Sequence, residues 1–212
     1  VCALACHGNA LHPDKAIAES FDIDFRNAVL LAEKMGVDTV ITFSGCPGDH
    51  EGAKYPNWVT CPWPEDFLAI LDWQWKEKVI PYWQGAGAFA VEHHVPHIAF
   101  EMHPGFCVYN TKTLLKLREA VGPEIGANFD PSHLIWQGMD LCTVIRELGK
   151  AGAAEVIEAA GFDANVRGET LGIGEFAAIA REIAPYIDGY YFMTPFRRVE
   201  LITKILANVE KI

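Results

Sequence analysis

The feature that most constrains this chain is a repeated alternation of short, continuously apolar segments with longer stretches of helical period. The apolar segments fall at residues 1–6, 38–43, 97–102 and 125–129. Each runs straight into a polar loop. Between them, residues 25–35 place Phe25, Ala28, Val29, Ala32 and Met35 at helical spacing, with Gly36 as a C-cap. Residues 65–82 predict a helix with Phe67, Leu68, Leu71 and Trp75 on its buried side. Residues 111–121 predict another, opened by Asn110 or Thr111 and stopped by Gly122 and Pro123, and residues 140–149 a further one. Residues 54–64, rich in Pro, Trp and Asn, read as an ordered excursion. Strands apolar on both faces belong to parallel sheets covered by helices, which means a barrel or a doubly wound sandwich. Beyond residue 150 the texture changes. Residues 151–160 are alanine-rich and helical in pattern, and 161–174 are glycine-rich without a period. Residues 175–186 and 199–212 read as helices around a strand at 189–193.

Composition narrows the function classes. The 212 residues are 50% hydrophobic and 21% charged, with a net charge of −11. That acidity disfavours nucleic acid as a partner. The six cysteines form no CxxC pair and read as buried thiols in a reducing compartment, hence a cytoplasmic location. No apolar run is long enough to span a membrane, and the first residues lack the basic start of a signal peptide. The chain opens on a strand pattern without Met, which leads us to expect that residues upstream are missing.

In parallel βα folds, ligands bind at the carboxyl ends of the strands. Those ends here carry His7 and Asn9, then Ser44, Asp49 and His50, then Glu101 and His103, then Asp130 and His133. Glu101 stands out because its strand is otherwise apolar. A carboxylate there carries a desolvation cost unless a cation or a Lys or Arg partner meets it. Asp130 precedes Pro131, so it fits a helix cap or turn as well as a metal ligand. Trp63 and Trp136, with Trp58, fit either a wall against the apolar face of a sugar or ordinary core filling. All eight histidines lie at or before His133.

Three segments together carry a resemblance: Cys6-His7-Gly8-Asn9 with Leu11-His12-Pro13, Phe100-Glu101-Met102-His103-Pro104-Gly105, and Asn128-Phe129-Asp130-Pro131-Ser132-His133-Leu134. Over about residues 1–150 the chain resembles the sugar phosphate isomerase/epimerase family, the xylose-isomerase-like TIM barrels. The resemblance implies a parallel (β/α) barrel that starts at the third strand, with the first two βα units missing. It implies a divalent metal (Mn²⁺, Mg²⁺, Co²⁺ or Zn²⁺) on Glu101 and Asp130, with Glu101 and His133 catalytic. His7, Asn9, His103, Trp63 and Trp136 would face a small sugar substrate. The later metal ligands of the family have no counterpart here, since no His follows His133. Residues 187–201 are instead similar to the end of methylenetetrahydrofolate-reductase-like barrels. This divides the chain into xylose-isomerase-like units over 1–150 and a C-terminal completion over 151–212 of different origin.

The leading expectation is therefore a metal-dependent sugar or sugar phosphate isomerase or epimerase. The alternative is a non-catalytic or chimeric barrel with an incomplete metal site, whose open sheet edges would pair copies into a homo-oligomer. A third reading, hydrolysis of abasic DNA as in the related endonuclease IV branch, conflicts with the acidic charge.

Overall fold

The computed structural model describes residues 1–149, together with Arg181, Ala184–Tyr186 and Ala207. The strand and helices expected across residues 151–212 lie outside the described residues, apart from the short 3-10 turn Ala184–Tyr186. Two compact units divide the chain, Val1–Asp130 and Pro131–Ile212.

The first unit is built on four parallel strands: β1 (Leu4–Ala5), β2 (Thr39–Thr42), β3 (His97–Glu101) and β4 (Ile125–Asn128). Their order in the sheet is their order in the chain. A doubly wound sandwich reverses direction at a switch point, and among the described residues no such reversal occurs, which matches the singly wound arc of a (β/α) barrel. All four expected strands are present, though β1 pairs over only two residues of the anticipated six.

Helix α1 (Lys15–Met35) begins ten residues before the expected start. Asp14 caps it, accepting from the backbone N–H groups of Ala16 at 2.9 Å and Ile17 at 3.3 Å. Its buried residues are Phe25, Val29 and Ala32, all in the second half. Met35, assigned to that apolar stripe, is half exposed. Gly36 ends the helix at φ 65°, a left-handed conformation that favours glycine, and its N–H and that of Val37 both reach the Ala32 carbonyl.

The helix expected at residues 65–82 is longer, and only the later part of its expected apolar side is buried. It runs as α2 (Glu65–Trp73), a π-helical segment Gln74–Val79, and α3 (Ile80–Glu92). Pro81 lacks an N–H and would clash with a regular preceding turn, and the widened π turn lies just before it. Phe67 and Leu68 are exposed, and α2 buries no residue fully. Trp75 is buried as expected, and the buried surface continues through Gln74, Val79, Trp83, Ala86, Gly87 and Ala90. Trp83 anchors it: its ring meets Phe25, Tyr82 and Phe100 edge-on, and its indole N–H donates to the Ser44 carbonyl at 2.9 Å.

Helix α4 (Thr111–Val121) has the expected limits. Asn110 accepts from the Thr113 N–H at 3.0 Å, and Thr113 Oγ1 accepts from the Asn110 N–H at 3.1 Å, a reciprocal capping box. The second unit opens with a short helix, α5 (Pro131–Trp136), where a loop was expected, followed by α6 (Leu141–Glu147) capped by Asp140. Among the described residues no helix is long and apolar enough to cross a membrane. Cys46, Cys107 and Cys142 are buried as expected and Cys6 is part-exposed, but Cys2, which precedes β1, and Cys61, in the excursion before α2, are exposed.

Candidate metal and substrate site

The strand register brings four side chains into one row. β3 pairs with β4 so that Glu101 lies opposite Asn128, and β2 pairs with β3 so that Thr42 lies opposite Phe100. One step further sets Phe43 opposite Glu101. The pairing of Ala5 with Ile41, continued by two residues, sets His7 opposite Phe43. The bond from the Cys6 N–H to the Ile41 carbonyl, at 2.8 Å, carries the pairing in that direction. His7, Phe43, Glu101 and Asn128 thus stand at one level on the carboxyl ends of the four strands.

Successive residues of a strand point to opposite faces. Ile98 and Phe100 are fully buried, and Phe100 meets Trp83 of α3, so they point to the helical layer. Glu101 therefore points to the other face, the one a barrel encloses. It is 1% exposed. Asn128 Nδ2 donates to its Oε2 at 3.2 Å, and His7 Nε2 lies 3.2 Å from the same oxygen. Asp130, two residues beyond Asn128, lies on the same side of the extended chain. One carboxylate oxygen of Asp130 comes within 4.8 Å of one from Glu101.

Aromatic rings pack beside this pair. Phe43 lies 4.4 Å from the His7 ring, 5.1 Å from the His103 ring, and stacks on Phe106 at 4.4 Å. His103 is held by its own loop, with Nδ1 2.5 Å from the Pro104 carbonyl and its N–H on the Glu101 carbonyl at 2.9 Å. All four rings are part-exposed. Gly8 lets the loop after β1 pass beneath α1, since a Cβ there would lie 2.2 Å from Phe21 Cδ1.

The other expected site residues have the following surroundings. Both ends of the Asn9 amide are engaged by backbone: Oδ1 accepts from the N–H of Cys46 at 2.9 Å and of Leu11 at 3.1 Å, and Nδ2 donates to the Cys46 carbonyl at 2.9 Å. Asn9 thus ties the loop after β1 to the loop after β2. Trp63 is 75% exposed on the excursion before α2. In the second unit, His133 lies in α5 with its carbonyl accepting from Gln137 Nε2 at 2.8 Å, and Trp136 ends that helix, 71% exposed. Phe43, Phe106 and Asn128 were not singled out from the sequence. Phe43 and Asn128 carry no local signal, and only the pairing of strands aligns them with Glu101.

Two carboxylates this close repel one another unless a proton or a cation intervenes. Carboxylate oxygens with a nearby imidazole are a donor set suited to Mn²⁺, Mg²⁺, Co²⁺ or Zn²⁺. The Asn128 amide orients one of the two carboxylates, as outer groups do around metal ligands. The residues present therefore fit a divalent ion.

A consecutive parallel arc covered by helices is the arrangement of a (β/α) barrel, a fold in which ligands bind at the carboxyl rim. The chain belongs to the xylose isomerase-like TIM barrel family, whose model matches residues 1–199. It is also similar to the uncharacterized protein YfiH of Bacillus subtilis (strain 168), 42% identical over 153 residues, which is 71% of this chain and 49% of that protein. The chain spans about half the length of this curated relative.

Proposed function

We propose that this chain carries the metal-dependent site of a sugar or sugar phosphate isomerase or epimerase. The observation that supports it best is the pair formed by buried Glu101 and Asp130, with carboxylate oxygens within 4.8 Å at the carboxyl ends of neighbouring strands. Glu101 and Asp130 would hold the ion. A bound divalent cation polarises a substrate carbonyl or hydroxyl oxygen and eases loss of the proton beside it.

The chain's own residues supply the rest. Glu101 takes the proton from the carbon beside the carbonyl and returns it to a neighbouring position or to the opposite face. Asn128 keeps that carboxylate turned, through the bond at Oε2. His7, 3.2 Å from the same oxygen, binds a substrate hydroxyl and passes a proton to or from it. Phe43 and Phe106 give the apolar C–H face of a sugar a flat surface and keep water from the reacting carbon. His103 offers a further polar contact on the same wall. The substrate-oxygen contact assigned to His133 rests on its place in the chain, three residues past Asp130.

The test is exchange of solvent deuterium into the C–H beside the carbonyl, followed by NMR across aldoses, ketoses and their phosphates with Mn²⁺ present. Exchange that needs Mn²⁺ and disappears in Glu101→Gln supports the reading. No Mn²⁺ binding by calorimetry, together with no exchange in any sugar, overturns it.

A further inference from the structure

Apart from the carboxylates, the same rim carries a second pair of reactive side chains. Cys46 lies in the loop after β2 and Cys107 in the loop after β3, and both are buried, at 1% and 6% exposure. The backbone fixes their approach. The Cys107 N–H donates to the Gly45 carbonyl at 3.0 Å, which sets residue 107 against the peptide joining 45 to 46. The Val108 N–H donates to the buried Ser44 Oγ at 2.8 Å, a second strap between the same loops. Asn9 grips the Cys46 N–H and carbonyl from the other side. Held this way, the two thiols lie near enough for each to shift the acidity of the other, and the Cys46 thiol also donates to the Pro47 carbonyl at 3.7 Å. Two cysteines can join only where the backbone already brings them together, and here it does.

We propose that Cys46 and Cys107 form an oxidation site, closed by hydroperoxide into a disulfide that bridges the loops after β2 and β3. The two thiols differ in a way that assigns their order. The neighbouring Cys107 thiol holds Cys46 below the ordinary thiol range, whereas the Cys46 thiol and burial hold Cys107 well above it. The Lys116 ammonium, 4.0 Å over the Trp75 ring, is the cation that favours a thiolate at Cys107. The Cys46 thiolate attacks one oxygen of hydrogen peroxide. The O–O bond breaks, leaving a sulfenic acid and a hydroxide that takes up a proton to become water. Cys107 then attacks the Cys46 sulfur, the S–S bond forms, the S–O bond breaks, and a second water leaves with the Cys107 proton. Two thiols lose two electrons and one peroxide becomes two waters. Hydrogen peroxide, only two heavy atoms in size, is the class of oxidant suited to a site closed to bulky disulfides.

The experiment treats the full chain with hydrogen peroxide, alkylates the remaining thiols under denaturing conditions and maps the peptides by mass spectrometry. The expected product is a peptide pair linking Cys46 to Cys107, lighter by two hydrogens, restored by dithiothreitol and absent from both Cys46→Ser and Cys107→Ser. Recovery of Cys46 and Cys107 as alkylated free thiols, while exposed Cys2 and Cys61 are oxidised, overturns the proposal. So does a bridge from Cys46 to any other cysteine. The mapping is done on the unaltered chain, so it does not depend on a variant folding, and its outcome is independent of metal binding at Glu101.

Discussion

Asn128 stands directly opposite Glu101 across the β3–β4 pair, and its amide donates to the carboxylate at 3.2 Å inside a strand that is otherwise apolar. The carboxylate is thereby solvated by the neighbouring strand rather than by water. Asn128→Leu removes the donor while keeping the size, and leaves a buried acceptor short of one bond. We expect a loss of about 1–3 kcal/mol in urea unfolding. Mn²⁺ affinity should fall by roughly 10- to 100-fold, the usual effect of losing an outer-shell group. Unchanged stability and affinity would show that Glu101 is oriented by other neighbours. Asn128→Asp reverses the charge logic: three acidic groups then converge, so the metal-free protein should melt lower and regain more on adding Mn²⁺ than the parent does.

The strands and the site rim were legible because burial on both faces writes a continuous apolar run, and a lone Glu in such a run is conspicuous. The first half of α1 was not. Residues 15–24 bury no side chain fully, so helical period has nothing to register there. The helix read over residues 65–82 stopped ten residues short of Glu92, because the apolar stripe that set its limits does not continue in register past the π segment Gln74–Val79. Phe67 and Leu68 looked like core for the same reason that Trp83 was overlooked: the buried face changes across the π segment. Asn128 and Phe43 became meaningful only through pairing with strands distant in sequence, which no local pattern encodes.

Trp83 is the residue on which α1, α3, β3 and the loop after β2 converge, through ring contacts with Phe25 and Phe100 and the bond to the Ser44 carbonyl. It is 1% exposed. Trp83→Ala should cost about 3–5 kcal/mol by the cavity it leaves. Trp83→Phe refills most of the volume but cannot donate to Ser44, so the remaining loss should be about 1–3 kcal/mol, the penalty of an unmet buried carbonyl. Chemical denaturation of the pair separates packing from hydrogen bonding. Equal losses would mean that the indole N–H contributes nothing.

Tyr82 donates to Asp22 Oδ1 at 2.9 Å while Arg26 Nε donates to Asp22 Oδ2 at 2.8 Å, locking α3 to α1. Burial, then the Asp22 charge, holds the phenol pKa far above its ordinary value of 10.0. The unfolded chain releases this proton near pH 10 and the folded chain keeps it, so the folded state binds more protons above that pH. The contribution of Tyr82 is therefore complete below pH 10 and declines as pH rises beyond it. Tyr82→Phe should be less stable than the parent at pH 8, with the gap narrowing from pH 10 upward in urea titrations. A gap independent of pH would mean that the phenol titrates alike in both states.

Asn9 meets both hydrogen-bonding groups of the Cys46 backbone, accepting from its N–H and donating to its carbonyl, each at 2.9 Å. A carboxylate can reproduce only the first. Asn9→Asp keeps the acceptor for Cys46 and Leu11 but turns an oxygen toward the Cys46 carbonyl, where two acceptors repel. Protonation repairs the fault, because a neutral carboxyl has an O–H to donate. The folded state therefore favours the protonated acid, and its pKa rises above the unfolded value of about 4. Relative to the parent, Asn9→Asp should lose most stability at neutral pH, by about 1–3 kcal/mol, and recover as pH falls toward the unfolded pKa. Asn9→Ala has no group to titrate and should stay equally impaired at every pH. Measuring urea midpoints of all three proteins from pH 4 to pH 8 distinguishes them. Parallel curves for the two variants would show that the Asn9 amide does not hold the loops after β1 and β2 together.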